Sequence, residues 1–132
     1  YKHVIDEYHY KGVINYIGFQ KDITLWLEKC HCTILPSLGG EGVPNVLLES
    51  AAMGRACIAS RIDGSKDVID DNITGFLFEA GNLVDLIGKV KKFIELDYED
   101  KKQMGINGRK KVERKFNRQI VIDAYLEEVK RV

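Results

Sequence analysis

Short apolar runs rich in branched residues alternate along this chain with longer segments whose apolar positions recur every three or four residues. That rhythm is the mark of parallel strands joined by crossover helices. A first strand is predicted over residues 12–17, closed by Gly18, and the chain's opening Tyr1-Lys2-His3 reads as part of a helix. Residues 22–29 place Ile23, Trp26 and Leu27 on one helical face, with Asp22 as an acid in the first turn, where the helix dipole favours negative charge. A second strand over residues 32–35 stops at Pro36, and a third over residues 56–60 is apolar up to Ser60, as a central strand covered on both faces should be. Residues 75–78 form a fourth.

The connections follow the same logic. Leu38-Gly39-Gly40-Glu41-Gly42-Val43-Pro44 is a glycine-rich loop, and Pro44 is expected at the first helical position, where its missing N–H costs nothing. Val46, Leu47, Ser50, Ala51 and Met53 continue that helix, and Gly54 ends it. Asp63-Gly64-Ser65 reads as a turn and N-cap before a short helix through Val68 and Ile69, and Asp70-Asp71-Asn72 turns the chain again. Leu86, Ile87, Val90, Phe93 and Ile94 form one stripe on a helix from Leu83 to near Asp97. Final helices fill about residues 99–132, one through Met104 and Val112 to Phe116 and one from Asn117 that aligns Ile120, Val121, Ala124, Tyr125 and Val129. The fold class is α/β: an open Rossmann-like parallel sheet of about four strands with helices on both faces. Such sheets bind ligands beyond the carboxyl ends of their strands, which directs attention to the loops after Ile17, Leu35 and Ser60.

At 132 residues there is room for one domain, and 45% hydrophobic with 30% charged residues excludes a disordered chain. Twenty basic and twenty acidic side chains cancel, which argues against a nucleic-acid partner. The cancellation hides a division: residues 1–100 carry −6 and residues 101–132 carry +6. The basic tail suits peripheral contact with an anionic membrane, although a solvated helix face paired with the acidic remainder is the plainer reading. Cys30, Cys32 and Cys57 make an odd count with no framework spacing, and no signal peptide or long apolar span is visible, so a cytoplasmic setting is expected. Lys29-Cys30-His31-Cys32 lacks the second Cys or His pair of a zinc site. No metal is expected, with Cys32 a small hydrophobe in its strand and His3, His9 and His31 at the surface or at helix ends.

The chemistry concentrates in the glycine loop. It lies where a strand ends and a helix begins, so free helix N–H groups and the positive dipole end face the crevice, an anion site. It has neither the Gly-Lys-Ser/Thr ending of a P-loop nor the spacing of a dinucleotide fingerprint. Glu41 and Glu49 flank the helix start, and a carboxylate accepts two hydrogen bonds at once, which suits vicinal sugar hydroxyls. Two such acids around an anion site suggest a nucleotide sugar. On spacing alone, however, a solvated loop acid and a helix-surface carboxylate account for the pair more readily.

Pro36-Ser37 followed by Glu41-Gly42-Val43-Pro44-Asn45-Val46-Leu47-Leu48-Glu49, then Ala51-Ala52-Met53-Gly54, resembles the signature of the family-4 glycosyltransferases with the GT-B fold. Asp63-Gly64-Ser65-Lys66-Asp67-Val68-Ile69 and Asp71-Asn72-Ile73-Thr74-Gly75-Phe76-Leu77 are similar to the family's next two blocks, and Tyr16-Ile17-Gly18-Phe19 to its upstream strand and loop. The resemblance covers about residues 10–128. It implies that Glu41, the catalytic candidate, contacts hydroxyls of the donor sugar and that Glu49 contacts the ribose. It further implies that Gly42, Val43, Pro44, Asn45 and Val46 hold the sugar and distal phosphate, and that Phe19 and Gln20 lie near the base. Gly40 stands where relatives often carry a larger residue such as Arg, which implies a roomier sugar pocket.

The resemblance also implies transfer from a nucleotide diphosphate sugar, with retention and without a metal or other cofactor, to an acceptor glycan or lipid-linked sugar in polysaccharide or glycolipid assembly. The family's phosphate-neutralising Arg and Lys lie on a first strand and helix that have no counterpart here, and its acceptor-binding amino-terminal domain has none either. Residues 1–132 are therefore expected to be a single partial domain, the donor-binding carboxyl-terminal half of a GT-B enzyme, inactive alone and partnered by the amino-terminal domain of the same parent. The alternative is a non-catalytic Rossmann-like nucleotide-binding or protein-interaction module.

Overall fold

The computed structural model describes residues 1–40 and 42–131, with every side chain among them except those of Val121 and Glu128. Among these residues one parallel sheet of three strands runs in the order β1 (Cys32–Leu35), β2 (Ala56–Ser60), β3 (Gly75–Phe78). The register pairs Cys32 with Ala56 and Cys57 with Gly75. The helices are α1 (Lys2–Tyr10), α2 (Thr24–Lys29), α3 (Asn45–Ala52), α4 (Asp63–Val68), α5 (Leu83–Glu95), α6 (Tyr98–Lys115) and α7 (Arg118–Arg131).

β2 is buried along its whole length, as its uninterrupted apolar run requires. Its side chains alternate between two cores. Cys57 and Ala59 join Leu77 against Leu47 and Ala51 of α3 and Val68 and Ile69 at the end of α4. Ala56 and Ile58 join Phe76 and Phe78 against Phe93 of α5 and Met104 of α6. Burying a side chain of the size of Ile58 or Phe76, both at most 1% exposed, stabilises the fold by about 1.5–3 kcal/mol each. Ser50, fully buried on α3, donates to the Val46 carbonyl at 2.6 Å and pairs with the Thr33 hydroxyl at 2.8 Å, which fastens α3 to β1.

Several expectations are corrected. Residues 12–17 form no strand. The N–H groups of Val13 and Ile14 donate to the Tyr8 carbonyl, and that of Tyr16 donates to His9 Nδ1, so donors that a sheet ladder needs are engaged by the end of α1. The sheet accordingly has three strands among the described residues rather than about four. α2 begins at Thr24 because Asp22 sits outside it, its carboxylate accepting from the Thr24 hydroxyl and N–H. Those bonds hold the Asp22 carboxyl below its ordinary range.

The helix stripes also narrow. Leu86, Val90 and Phe93 of α5 pack inward, whereas Ile87 and Ile94 stay exposed, because α5 rests on the edge strand β3, which covers only one side of the stripe. Ile120, Ala124, Tyr125 and Val129 of α7 are exposed, with no extensive packing on another element, and Val121's side chain lies outside the description. No described helix is long and apolar enough to cross a membrane.

Candidate functional site

The loop after β1 leads over the carboxyl ends of the strands into α3. Gly39 and Gly40 adopt φ values of 142° and 78°, the left-handed side that favours glycine, and they swing the chain around this corner. Gly42 and Val43 are exposed. Pro44 is the N-cap of α3 with φ −71° and ψ 122°, rather than its first helical residue: its extended ψ lets the carbonyl accept the first helical bonds, from Leu47 and Leu48. Pro44 offers no side-chain cap and the first turn of α3 holds no acid, so among the described residues no carboxylate of α3 itself offsets the positive end of the helix at the crevice.

α4 supports this loop from behind. A Cβ built on Gly64 would lie 1.8 Å from the Gly42 carbonyl oxygen, so the first turn of α4 presses directly on the loop backbone. Asp63, Gly64 and Ser65 are thus the first turn of α4, not a turn before it, and Ile62 is the N-cap. Sequence reasoning gave Gly64 a turn's role and missed this contact. Its signal was a glycine inside a helix start, a position where glycine is unfavourable unless something needs the space.

The far side of the crevice is held by charge. Arg61, just beyond β2, donates through its N–H to the Phe78 carbonyl at 2.7 Å, while its guanidinium bonds Asp71 at 2.6 Å and lies 3.5 Å from a Glu79 oxygen. Asp71 also accepts the Leu77 N–H at 2.9 Å. Burial pushes the Asp71 carboxyl up, but the Leu77 N–H and Arg61 bonds, with the charges of Lys89 and Arg61, outweigh it and hold the carboxyl below its ordinary range. Arg61, just beyond the end of β2, is thereby engaged by carboxylates. Ser60 and Ser65, fully buried on either side of this turn, have hydroxyls without a hydrogen-bond partner among the described residues.

The site residues fall into three groups. Gly40, Gly42, Val43, Pro44, Asn45, Val46 and Glu49 lie together on one continuous stretch, with Glu49 exposed and four residues along α3 from Asn45, about 6 Å on the same face. Glu41 lies outside the described residues. Phe19 and Gln20 lie apart from this stretch in sequence: Phe19 is 94% exposed, and the Gln20 side chain donates to the Ile17 carbonyl and accepts the Trp26 indole N–H. Cys32 and Cys57 pack as small hydrophobes, and burial pushes their thiols up to about 11 and about 12. No group of three or more His, Cys, Asp or Glu among the described residues is placed to hold a metal ion.

The sequence pattern of the family described as glycosyl transferases group 1 matches residues 1–111. The chain belongs to that family. Among its group 1 relatives, the capsular polysaccharide biosynthesis glycosyltransferase CapM of Staphylococcus aureus is 36% identical over 111 residues, spanning 84% of this chain and 27% of CapM. The N,N'-diacetylbacillosaminyl-diphospho-undecaprenol alpha-1,3-N-acetylgalactosaminyltransferase of Campylobacter jejuni is 32% identical over 89 residues, 67% of this chain and 23% of that protein. The chain thus spans about a quarter of the length of these group 1 relatives. A glycosyltransferase structure from Rickettsia africae superposes with a TM-score of 0.83 at 27% identity, over 98% of this chain and 35% of that one. Anabaena Alr3699/HepE in complex with UDP superposes at 0.86 with 18% identity, over 99% and 36%. The fold of this group 1 chain is therefore that of GT-B glycosyltransferases.

Proposed function

We propose that this chain is the donor-binding part of a retaining glycosyltransferase that transfers a sugar from a nucleotide diphosphate sugar to a glycan or lipid-linked acceptor in polysaccharide or glycolipid assembly at the cytoplasmic side of the membrane. The observation that supports this most is the start of α3, which Pro44 leaves without a side-chain cap of its own, beside a glycine loop at the carboxyl ends of parallel strands. In this reading the first N–H groups of α3 receive the diphosphate, whose charge grows as it departs, so their stabilisation is greater in the transition state than in the bound donor. Glu49 takes the ribose hydroxyls and Glu41 the hydroxyls of the moving sugar, while Gly42 and Val43 let the backbone approach. Phe19 and Gln20 border the base, no metal takes part, and residues 1–132 work with an acceptor-binding amino-terminal domain. That the relatives named above are polysaccharide and undecaprenol-linked glycosyltransferases favours this setting.

The test is titration of the chain with uridine, guanosine and adenosine diphosphates, followed by amide NMR. Saturable binding of one nucleotide that moves the Asn45 and Val46 amides is expected. Absence of binding across all three would overturn the donor-site reading in favour of an interaction module.

A further inference from the structure

At the opposite end of the sheet, where β1 and β2 begin, a cleft of about 180 Å³ is lined by His31, Arg55, Tyr98, Lys101, Lys102 and Ile106, together with Gly54. The register that pairs Cys32 with Ala56 brings His31 and Arg55, the residues just before each strand, side by side. Close packing of α6 adds the two lysines. A Cβ built on Gly105 would lie 2.0 Å from the Gly54 carbonyl, so α6 runs tight against the turn before β2. Tyr98, Lys101 and Lys102 fall one and two turns earlier on that same face.

These cations are fixed in place without being neutralised. Arg55 donates from Nε to the Leu27 carbonyl at 2.9 Å and from Nη2 to the Glu28 carbonyl at 2.7 Å. Lys101 donates to the Ile94 carbonyl at 2.9 Å and lies over the Phe93 ring, and Lys102 lies over the Tyr98 ring. Carbonyls and rings orient a cation but leave its net charge, and both guanidinium and ammonium keep further N–H donors for a ligand. No carboxylate lines the cleft, and none of the three forms an ion pair among the described residues. Preoriented, uncompensated donors around a recess several times the roughly 30 Å³ of a water molecule suit a compact polyanion.

We infer that the cleft between His31, Arg55, Lys101 and Lys102 is a second anion site, separate from the start of α3, which takes a phosphate group. That group belongs either to a small phosphate in solution or to the headgroup of an anionic lipid. The guanidinium supplies the planar, directional contact and the two ammoniums supply point charges, the usual division between these side chains.

Amide NMR of the chain titrated with inorganic phosphate tests this, with flotation on phosphatidylcholine vesicles that contain or lack phosphatidylglycerol. Phosphate is expected to shift the His31, Arg55 and Lys102 amides saturably. Lys102→Gln is expected to weaken this about tenfold, the effect of removing one charge-assisted hydrogen bond, and Lys102→Arg to restore it. Among the described residues Lys102 makes only a ring contact, so Lys102→Gln should keep the wild-type melting temperature, and Lys101→Gln provides an independent second variant. Flotation only with phosphatidylglycerol, lost in both Gln variants, assigns the site to lipid; phosphate binding without flotation assigns it to a free phosphate. Neither binding, or shifts at the start of α3 alone that both Gln variants leave unchanged, overturns the inference.

Discussion

Gly64 and the Gly42 carbonyl are in backbone contact: α4 meets the glycine loop where even one methyl group would lie 1.8 Å from that oxygen. Loop position and α4 packing are thus a single mechanical unit. Gly64→Ala should therefore cost about 1–3 kcal/mol of stability, the usual range for an overpacked contact, and weaken nucleotide diphosphate binding by displacing the loop. Urea denaturation alongside a nucleotide titration checks both, and an unchanged midpoint would show that the contact relaxes freely.

Gly42 behaves differently. Among the described residues, a Cβ on it meets nothing within 4 Å. Gly42→Val should then leave the melting temperature nearly unchanged while weakening donor binding, because the new side chain stands where the ligand is proposed to approach. Equal loss of stability in the Gly42 and Gly64 variants would show that Gly42 serves the fold alone.

What the sequence reveals, and what it hides, follows from the range of each interaction. Residues 32–35, 56–60 and 75–78 are legible because a buried strand writes its burial into its own consecutive residues. Residues 12–17 carry the same branched signature, yet a strand also needs a partner, and a single sequence does not show that Val13, Ile14 and Tyr16 bond to α1 instead. The glycine loop and the start of α3 are legible for the same local reason: glycines, proline and helix start are contiguous. The Gly64 contact, the Arg61–Asp71 clasp and the basic cleft each join residues distant in sequence, so no local pattern announces them. Lys111 is the clearest case, a basic residue only 4% exposed inside α6.

Lys111 reaches Asp70 at 2.8 Å, joining α6 to the turn after α4. Asp70 is about half exposed, so the pair is partly hydrated and its attraction is reduced accordingly. Removing the acid still strands a buried ammonium. Asp70→Ala should cost about 2–3 kcal/mol, below the range for fully buried pairs, and Lys111→Met should cost less, because its apolar stem refills the same space. Paired denaturation curves check the order, and the reverse order would mean that the ammonium finds water once Asp70 is gone.

Asp71 gives stability a defined response to acid. Its folded carboxyl lies below the unfolded value of 3.8, so the fold binds fewer protons there than the unfolded chain does. The stabilisation is complete above that unfolded value and is lost as the pH falls through the folded one. Melting temperatures taken from about pH 5 down to pH 3 should fall more steeply for the wild type than for Asp71→Asn. Parallel slopes would show that the Arg61 and Leu77 bonds do not discriminate between the charged and neutral carboxyl.

On the proposed function, the two glutamates are separable in a transferase that contains this chain, where turnover is measurable. Contacts of Glu49 as the proposed ribose ligand would persist from bound donor to transition state, so Glu49→Gln should chiefly raise the donor KM. Glu41 is proposed to touch the sugar that moves, so Glu41→Gln should lower kcat more than it raises KM, by about 1.5–3 kcal/mol, as expected for a hydrogen bond to a charged group. The free nucleoside diphosphate is the control. Glu49→Gln should weaken its binding, whereas Glu41→Gln should not, since that ligand has no sugar to contact. Equal weakening by both variants would refute the division of roles, and full activity in both would return the pair to solvated surface acids. Because Glu49 stands exposed, four residues from Asn45 on the same helix face, its substitution removes no packing, and a change in KM reports on the ligand rather than on the fold.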